Sequence, residues 1–402
     1  MPRHTPGGTN VRVLLISHTC RSRAMGQPKA RYLGQQPGVQ LRVLVPERWQ
    51  SDDGSWSDVD EPGDAAFELE VGKVRWPYVG PFKRYLHHYP NLAATLREFQ
   101  PDVIDIWEEP WGLVSAHACW LRRRIVPNAK VISETEQNIN KKLPLPFERF
   151  RAYTLKQADY VVARSGEALE VSRQKGFSGP ARVVPNAVDA ELFVPMDRAA
   201  CRTDLGLSGF IVGYVGRMVP EKGLEDLIEA IAICRDRGGS SVKALFVGSG
   251  PLLATLVAQV ERLGVKDKVQ FLPNRPLHEL PKLFNAMDVM ALPSRTTAAW
   301  KEQFGRVIIE AHACAVPVIG SNSGAIPEVV GQGGLTFPES NPAAIADVIL
   351  TLAADPARCA QMGRLGREAV EAHYTWQRVA ARMYEIYSEL APQGFAHKGI
   401  AR

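Results

Sequence analysis

The stretch GFIVGYVGRMVPEKG, residues 209–223, decides the fold. Its first eight residues form a short apolar run rich in β-branched side chains, the pattern of a strand buried on both faces. The run empties into GRMVPEKG, where Gly216 and Gly223 let the backbone turn sharply on either side of a proline. The helix LEDLIEAI follows directly. In an open α/β sheet, ligands bind at such strand-to-helix loops. Arg217 and Lys222 place a guanidinium fork and an ammonium point charge on this one, which suits a diphosphate. A basic surface turn is the competing reading.

The same alternation of short β-branched runs and longer amphipathic segments extends over most of the chain. The first half offers strands at 11–17, 41–46, 72–76 (GKVRW), 102–107, 129–133, 159–163 and 181–185. The second offers 209–216, 242–248, 268–272, 288–293, 316–320 and 334–337. Two similar doubly wound units are expected, split as 1–190 and 191–375, with a linker near 186–206. YTWQRVAARMYEIYSEL, 374–390, carries Trp376, Val379, Met383, Ile386 and Tyr387 at helical spacing. It reads as an amphipathic helix followed by a frayed tail. The polar, Gly/Ser-rich piece SDDGSWSDVDEPGD, 51–64, reads as a surface loop. Its Asp58-Val59-Asp60 is taken as part of that solvated loop rather than as a metal-nucleotide motif.

At 402 residues the chain exceeds one core, and 45% apolar with 23% charged residues is a globular composition. No secretory signal and no span of about 18 uninterrupted apolar residues is legible. Six cysteines lie far apart without CxxC spacing, as expected of reduced thiols in a cytoplasmic protein. The net charge of +5 is uneven: residues 1–187 hold 26 Lys and Arg against 20 Asp and Glu, the remainder 22 against 23. RSRAMGQPKAR (Arg21, Arg23, Lys29, Arg31) and PFKRYLHHY (Phe82, Lys83, Arg84, Tyr85, Tyr89) concentrate the excess. Such a face suits an anionic membrane surface or a phosphate-bearing acceptor, or is simply solvated. No nucleic-acid partner is expected.

A second stretch, KEQFGRVIIE at 301–310, sets Glu302 and Glu310 around Phe304-Gly305. On one helix, eight residues would separate them by about 12 Å and roughly 80°. A loop bending at Gly305 into a helix brings both to one pocket. The helix start offers N–H groups and a positive dipole end to phosphate. A carboxylate beside it is better suited to sugar hydroxyls, and Glu310 to a ribose.

Together these residues resemble the retaining GT-B glycosyltransferases of family 4. The Glu, seven residues, Glu pattern is met by Glu302 and Glu310, and Gly-Arg-x-x-x-x-Lys-Gly by Gly216, Arg217, Lys222 and Gly223. Phe304-Gly305, Glu310-Ala311, Pro317-Val318 and Gly324 fall in register. The resemblance, running from about residue 11 to 390, implies two Rossmann-like domains facing a cleft, with helix 376–402 crossing back to the first domain. It implies that Arg217 and Lys222 hold the donor diphosphate and that Glu302 binds the donor sugar. Backbone N–H groups from Phe304 through Gly305, Arg306 and Val307 to Ile308 would face phosphate and sugar. Glu310 would hold the ribose, and the loop with Arg275 and Leu277 the base. The acceptor would be glycan, lipid-linked or small, reached at the cytoplasmic or inner membrane face. No cofactor and no metal is implied, and the leaving phosphate itself takes the acceptor proton.

The chain departs from the family in two places. After the first strand it has HTCRSRAMGQPKAR, with only Gly26 where many members have a Gly-Gly pair. Where many carry a histidine after the fourth strand it has DIWEEPWG, which puts Glu108 or Glu109 in that position. Glu108 is the catalytic candidate there. His18, Glu109, Glu134 and Asn138 are candidates for an acceptor or sugar pocket. A nucleotide-sugar epimerase and a non-catalytic nucleotide-sugar binder are the alternative readings.

Overall fold

A computed structural model describes residues 10–50, 54–63, 66–82 and 84–392. The chain start, residues 51–53 and 64–65 of the acidic loop, Lys83 and the tail from 393 lie outside them. The chain divides into two compact units, Met1–Val184 with Trp376–Arg402, and Pro185–Thr375.

In unit 1 the strands are β1 (Val11–Ile16), β2 (Val39–Pro46), β3 (Arg48–Gln50), β4 (Trp56–Asp58), β5 (Glu68–Gly72), β6 (Val103–Ile106), β7 (Lys130–Thr135), β8 (Tyr160–Ala163) and β9 (Ala181–Val183). Seven form a parallel sheet in the order β5-β2-β1-β6-β7-β8-β9. In unit 2, β10 (Phe210–Val215), β11 (Val242–Val247), β12 (Val269–Leu272), β13 (Val289–Leu292), β14 (Val318–Ser321) and β15 (Gly334–Phe337) pair in parallel as β12-β11-β10-β13-β14-β15. Central strands such as VLLI of β1 and VMAL of β13 are buried at every position, as helices on both faces require. In each sheet the strand order reverses beside the first strand, at β1/β6 and at β10/β13.

Several expectations need correction. The strand expected at 72–76 lies at Glu68–Gly72. As a sheet edge it tolerates glutamates, and Glu68 pairs across to Arg42 of β2 at 2.9 Å, so apolar content misplaces it. The acidic loop is partly a ribbon, since β3 and β4 pair antiparallel with Trp49 opposite Ser57. The run RSRAMGQPKAR is not a solvated basic face. Arg21 is buried and donates to the carbonyls of Ser57 and Asp58, while Arg23 reaches the Glu61 carbonyl at 3.1 Å. Lys29 lies in the interior.

The stretch expected as a linker belongs to unit 2. Phe193 is in its core, Asp197 caps the helix Arg198–Leu205, and Arg198 binds Asp288 at 2.8 Å. The last helix, Trp376–Leu390, packs in unit 1, burying Trp376, Val379, Met383, Ile386 and Tyr387 as its spacing predicts. Its Tyr387 hydroxyl donates to Asp105 of β6 at 2.7 Å, and Arg182 binds its Glu385 and Glu389.

Beneath β6 and β7 lies a buried charge cluster. Glu134 pairs with both Lys29 and Arg164, and all three are about 2% exposed or less. Both cations also lie over the Trp107 ring, at 4.2 and 5.2 Å from its centroid. Burial alone would push the Glu134 carboxyl up, but Arg164 and Lys29 hold it below the usual range. Burial and Glu134 push neighbouring Asp105 well up. Removing one partner of such a cluster strands a buried charge. Lys29→Met is therefore expected to lower the unfolding free energy by about 3–5 kcal/mol, read by urea denaturation.

Candidate functional site

Because every strand of the unit 2 sheet is parallel, the loops after β10 to β14 emerge at one edge. The loops after β10 and β13 part company there, since β11 and β12 lie to one side and β14 and β15 to the other. Lys222 and Glu302 meet at this opening. The ammonium is 2.6 Å from Glu302 Oε2, which also accepts from the Ser294 hydroxyl at 3.0 Å. Lys222 is 5.0 Å from the Trp300 ring centroid, and Glu302 is only 7% exposed.

The loops meet backbone to backbone. Gly223 has φ +62°, and a Cβ there would sit 2.1 Å from the Pro293 carbonyl oxygen. The Arg295 N–H donates to the Glu221 carbonyl at 2.8 Å. Arg217 follows β10, its carbonyl accepting from the Tyr214 hydroxyl at 2.7 Å. The loops after β11 and β12 join the same edge: Met218 N–H donates to the Ser249 carbonyl, and the Asn274 amide to the Ser249 hydroxyl, each at 2.8 Å. Arg275 sits 3.7 Å from Glu279, and Leu277 packs partly against the core.

Gly305, at φ +80°, bends the KEQFGRVIIE stretch. The helix Arg306–Ala313 starts after it, so Glu302 lies on a loop and Glu310 on the second helical turn. Arg306 and Glu310 share a helix face four residues apart. Burial pushes the Glu310 carboxyl up and Arg306 opposes the shift. Phe304 is buried against Tyr374, at 6.0 Å between centroids, so it offers backbone rather than ring to a ligand. Val307 packs partly against the core. Ile308 N–H, the last of the row expected to face a ligand, donates to the Gly305 carbonyl at 2.8 Å.

Unit 1 holds a cavity of about 230 Å³ at its own strand-order reversal. His18, Glu108, Glu109 and Glu134 all line it. Glu108 does not stand open in the position of the family's histidine. Both its oxygens are 2.8 Å from His18 Nδ1, and Oε1 accepts the His18 backbone N–H at 2.6 Å. Burial would raise its carboxyl, but the contacts with His18 hold it below the usual range. Glu134 reaches the cavity wall with its carboxylate already held by Lys29 and Arg164. Asn138 is buried, donates to Glu167 at 3.2 Å and does not line the cavity. Trp49, Arg84, Tyr85, His87 and Trp107 also line it. Trp49 stacks on His18 from the short ribbon, a contact that no sequence period signals.

Two family models match the chain: glycosyl transferases group 1 over residues 202–369, and glycosyltransferase family 4 over 30–192. The chain is 34% identical over 356 residues to the GDP-mannose-dependent alpha-(1-6)-phosphatidylinositol monomannoside mannosyltransferase of Mycobacterium tuberculosis, covering 82% of this chain and 87% of that one. It is 37% identical over 220 residues to the protein of the same name from Mycolicibacterium smegmatis, an alignment that spans 57% of the relative and 53% of this chain. Sucrose-phosphate synthase from Thermosynechococcus elongatus superposes with a TM-score of 0.74 at 23% identity, over 97% of this chain and all of that one. The fold is thereby GT-B, with two Rossmann-like units.

Glu109 accepts from the Thr135 hydroxyl at 2.7 Å and the Glu136 N–H at 2.8 Å, yet burial pushes its carboxyl up to about 8. Its folded pKa exceeds the ordinary value of about 4.3. The stability it contributes is therefore full below about pH 4.3 and lost as pH rises through about 8. Wild type is expected to lose unfolding free energy relative to Glu109→Gln between pH 5 and 9 in urea titrations. Parallel profiles would refute the assignment.

Proposed function

The chain belongs to the group 1 glycosyltransferases of family 4, and on that premise we propose that it moves a sugar from a nucleotide diphosphate-sugar to an acceptor hydroxyl with retention of configuration. The contact between Lys222 and Glu302 at the opening beside β10 carries this reading. A cation for the leaving diphosphate and a carboxylate for the sugar hydroxyls stand side by side where a doubly wound sheet binds ligands. The helix starting after Gly305 adds a dipole end suited to phosphate.

Lys222 and Arg217 stabilise negative charge as the glycosidic bond to phosphate breaks, Glu302 orients the donor sugar, and Glu310 accepts from the ribose. The acceptor oxygen bonds to the anomeric carbon on the face the phosphate leaves, and the proton departs on the phosphate. This chemistry needs no metal, because fixed cations and N–H groups supply the electrostatic stabilisation. The name of the M. tuberculosis relative makes GDP-mannose the first donor to test. A lipid-linked or glycan acceptor fits the distribution of exposed aromatic side chains: Trp56, Trp76, Tyr78, Phe82, Tyr85 and Trp120 all belong to unit 1. Arg124 stacks on Trp120 at 3.8 Å, a cation and an aromatic ring suited to a headgroup layer. No helix among the described residues is long and apolar enough to cross a membrane.

A panel of nucleotide-sugars with mass readout tests the activity: transfer or donor hydrolysis supports it, epimer formation or silence with tight nucleotide binding overturns it. Lys222→Ala and Glu310→Ala are each expected to abolish measurable transfer, with about 10²–10³-fold lost for the cation alone. Lys222→Ala also strands the Glu302 carboxylate. The double variant with Glu302→Gln is expected to recover stability but not turnover. Unit 1 is expected to bind anionic vesicles at low salt, and full recovery of unbound protein in co-sedimentation would count against membrane contact.

A further inference from the structure

Pro293, Ser294 and Arg295 leave β13 in succession, and each fixes part of the opening in unit 2. The Pro293 carbonyl closes on Gly223, and the buried Ser294 hydroxyl donates to Glu302 at 3.0 Å. Arg295 reaches across the reversal twice. Its N–H donates to the carbonyl of Glu221, the neighbour of Lys222, at 2.8 Å. Its guanidinium grips Asp226 as a fork, Nε to Oδ2 at 2.7 Å and Nη2 to Oδ1 at 2.6 Å. Asp226 stands in the first turn of the helix Leu224–Asp236, which opens directly after Lys222 and Gly223. Gly223 leaves room for the arginine stem, since a Cβ there would lie 3.3 Å from Arg295 Cγ.

Arg295 thus holds both ends of the turn that carries Lys222, Glu221 before it and Asp226 after it, while its neighbour Ser294 holds Glu302. The 2.6 Å contact between Lys222 and Glu302 is referred to one dipeptide. The loop is anchored on its other side as well. The Thr296 hydroxyl donates to Glu339 at 2.7 Å and lies 2.9 Å from the Ser323 hydroxyl. Thr297 then closes a turn on the Trp300 carbonyl at 2.7 Å, which sets the Trp300 ring 5.0 Å from the Lys222 ammonium. The Arg295 and Asp226 side chains are 28% and 10% accessible, and a partly exposed pair contributes little stability. A planar fork does, however, fix orientation as a point charge cannot.

We propose that Arg295 is a positioning residue for sugar transfer: its grip on Glu221 and Asp226 seats Lys222 in line with Glu302 across the strand-order reversal. It acts through Lys222 and not on the reacting atoms. A displacement of about 1 Å in such a constellation is enough to cost roughly 10²-fold in rate. The effect on rate rests on the transferase reading, whereas the seating of Lys222 does not.

The test uses the full chain labelled with ¹³C-lysine, the Lys222 resonance being assigned with Lys222→Arg. In wild type the Trp300 ring is expected to shift the Lys222 ε-methylene signal away from those of exposed lysines. Arg295→Met is expected to move that signal back toward them. With any nucleotide-sugar that is consumed, the same variant lowers kcat about tenfold or more, while affinity for the corresponding nucleoside diphosphate falls less than about threefold. Arg217 and the helix start after Gly305 still bind the diphosphate. Because Arg295→Met strands the Asp226 carboxylate, the double variant with Asp226→Asn is expected to regain the wild-type unfolding temperature but not kcat. Arg295→Lys, which keeps the charge without the fork, preserves the fold and is expected to move the signal and kcat in the same direction. An unmoved Lys222 signal in both Arg295 variants, or full return of kcat in the double variant, overturns the proposal. A moved signal in a protein that consumes no nucleotide-sugar leaves Arg295 as the residue that seats Lys222 and defeats the transferase reading instead.

Discussion

Both candidate sites of this molecule depend on the reversal of strand order beside the first strand of each sheet. A parallel sheet sends all its strand-to-helix loops to one edge, and where the order reverses, two neighbouring loops must diverge. Both openings hold a hydrogen-bonded pair contributed by the two diverging loops. In unit 2 it is Lys222 with Glu302, in unit 1 His18 with Glu108. Neither pair is local in sequence. Each is assembled by strand register and held by its surroundings, Gly223 against Pro293 in one case and Trp49 against His18 in the other.

The buried cluster of Lys29, Glu134, Arg164 and Asp105 has a different task. Burying two cations and the Glu134 carboxylate costs desolvation energy that apolar packing would avoid. The cluster is placed so that both cations underlie Trp107, a wall residue of the unit 1 cavity. The arrangement fixes that wall from beneath. Tyr387 ties the last helix into the same network through Asp105.

The fold was legible in the sequence wherever burial was uniform. Twelve of the thirteen expected strands lie within a few residues of their places, because strands covered on both faces read as continuous apolar runs. The exception, at 72–76, failed because the edge strand Glu68–Gly72 alternates glutamate with apolar residues. The ribbon of β3 and β4 was hidden by a polar composition that its solvent exposure permits. The two spaced motifs of unit 2 fall on glycine-bent loops at one edge of its sheet. In unit 1 the structure brings His18, Glu108, Glu109 and Glu134 to one cavity, but the sequence did not show that Glu134 is held by Lys29 and Arg164 or that Lys29 lies in the interior. Their partners lie 105 positions apart, and composition carries no information at that range.

The return of the final helix to unit 1 also has a consequence for the order in which the protein can form. Unit 1 is synthesised first, but the hydroxyl that meets Asp105 belongs to Tyr387, 282 residues downstream. A nascent chain that has completed β9 carries an uncovered apolar face and an unmet buried carboxyl until the ribosome has finished unit 2. Contacts of such long range slow folding, and exposed apolar surface invites misassembly. Unit 2, continuous from Pro185 to Thr375, has no such wait, so the half made second is the half that can be finished first.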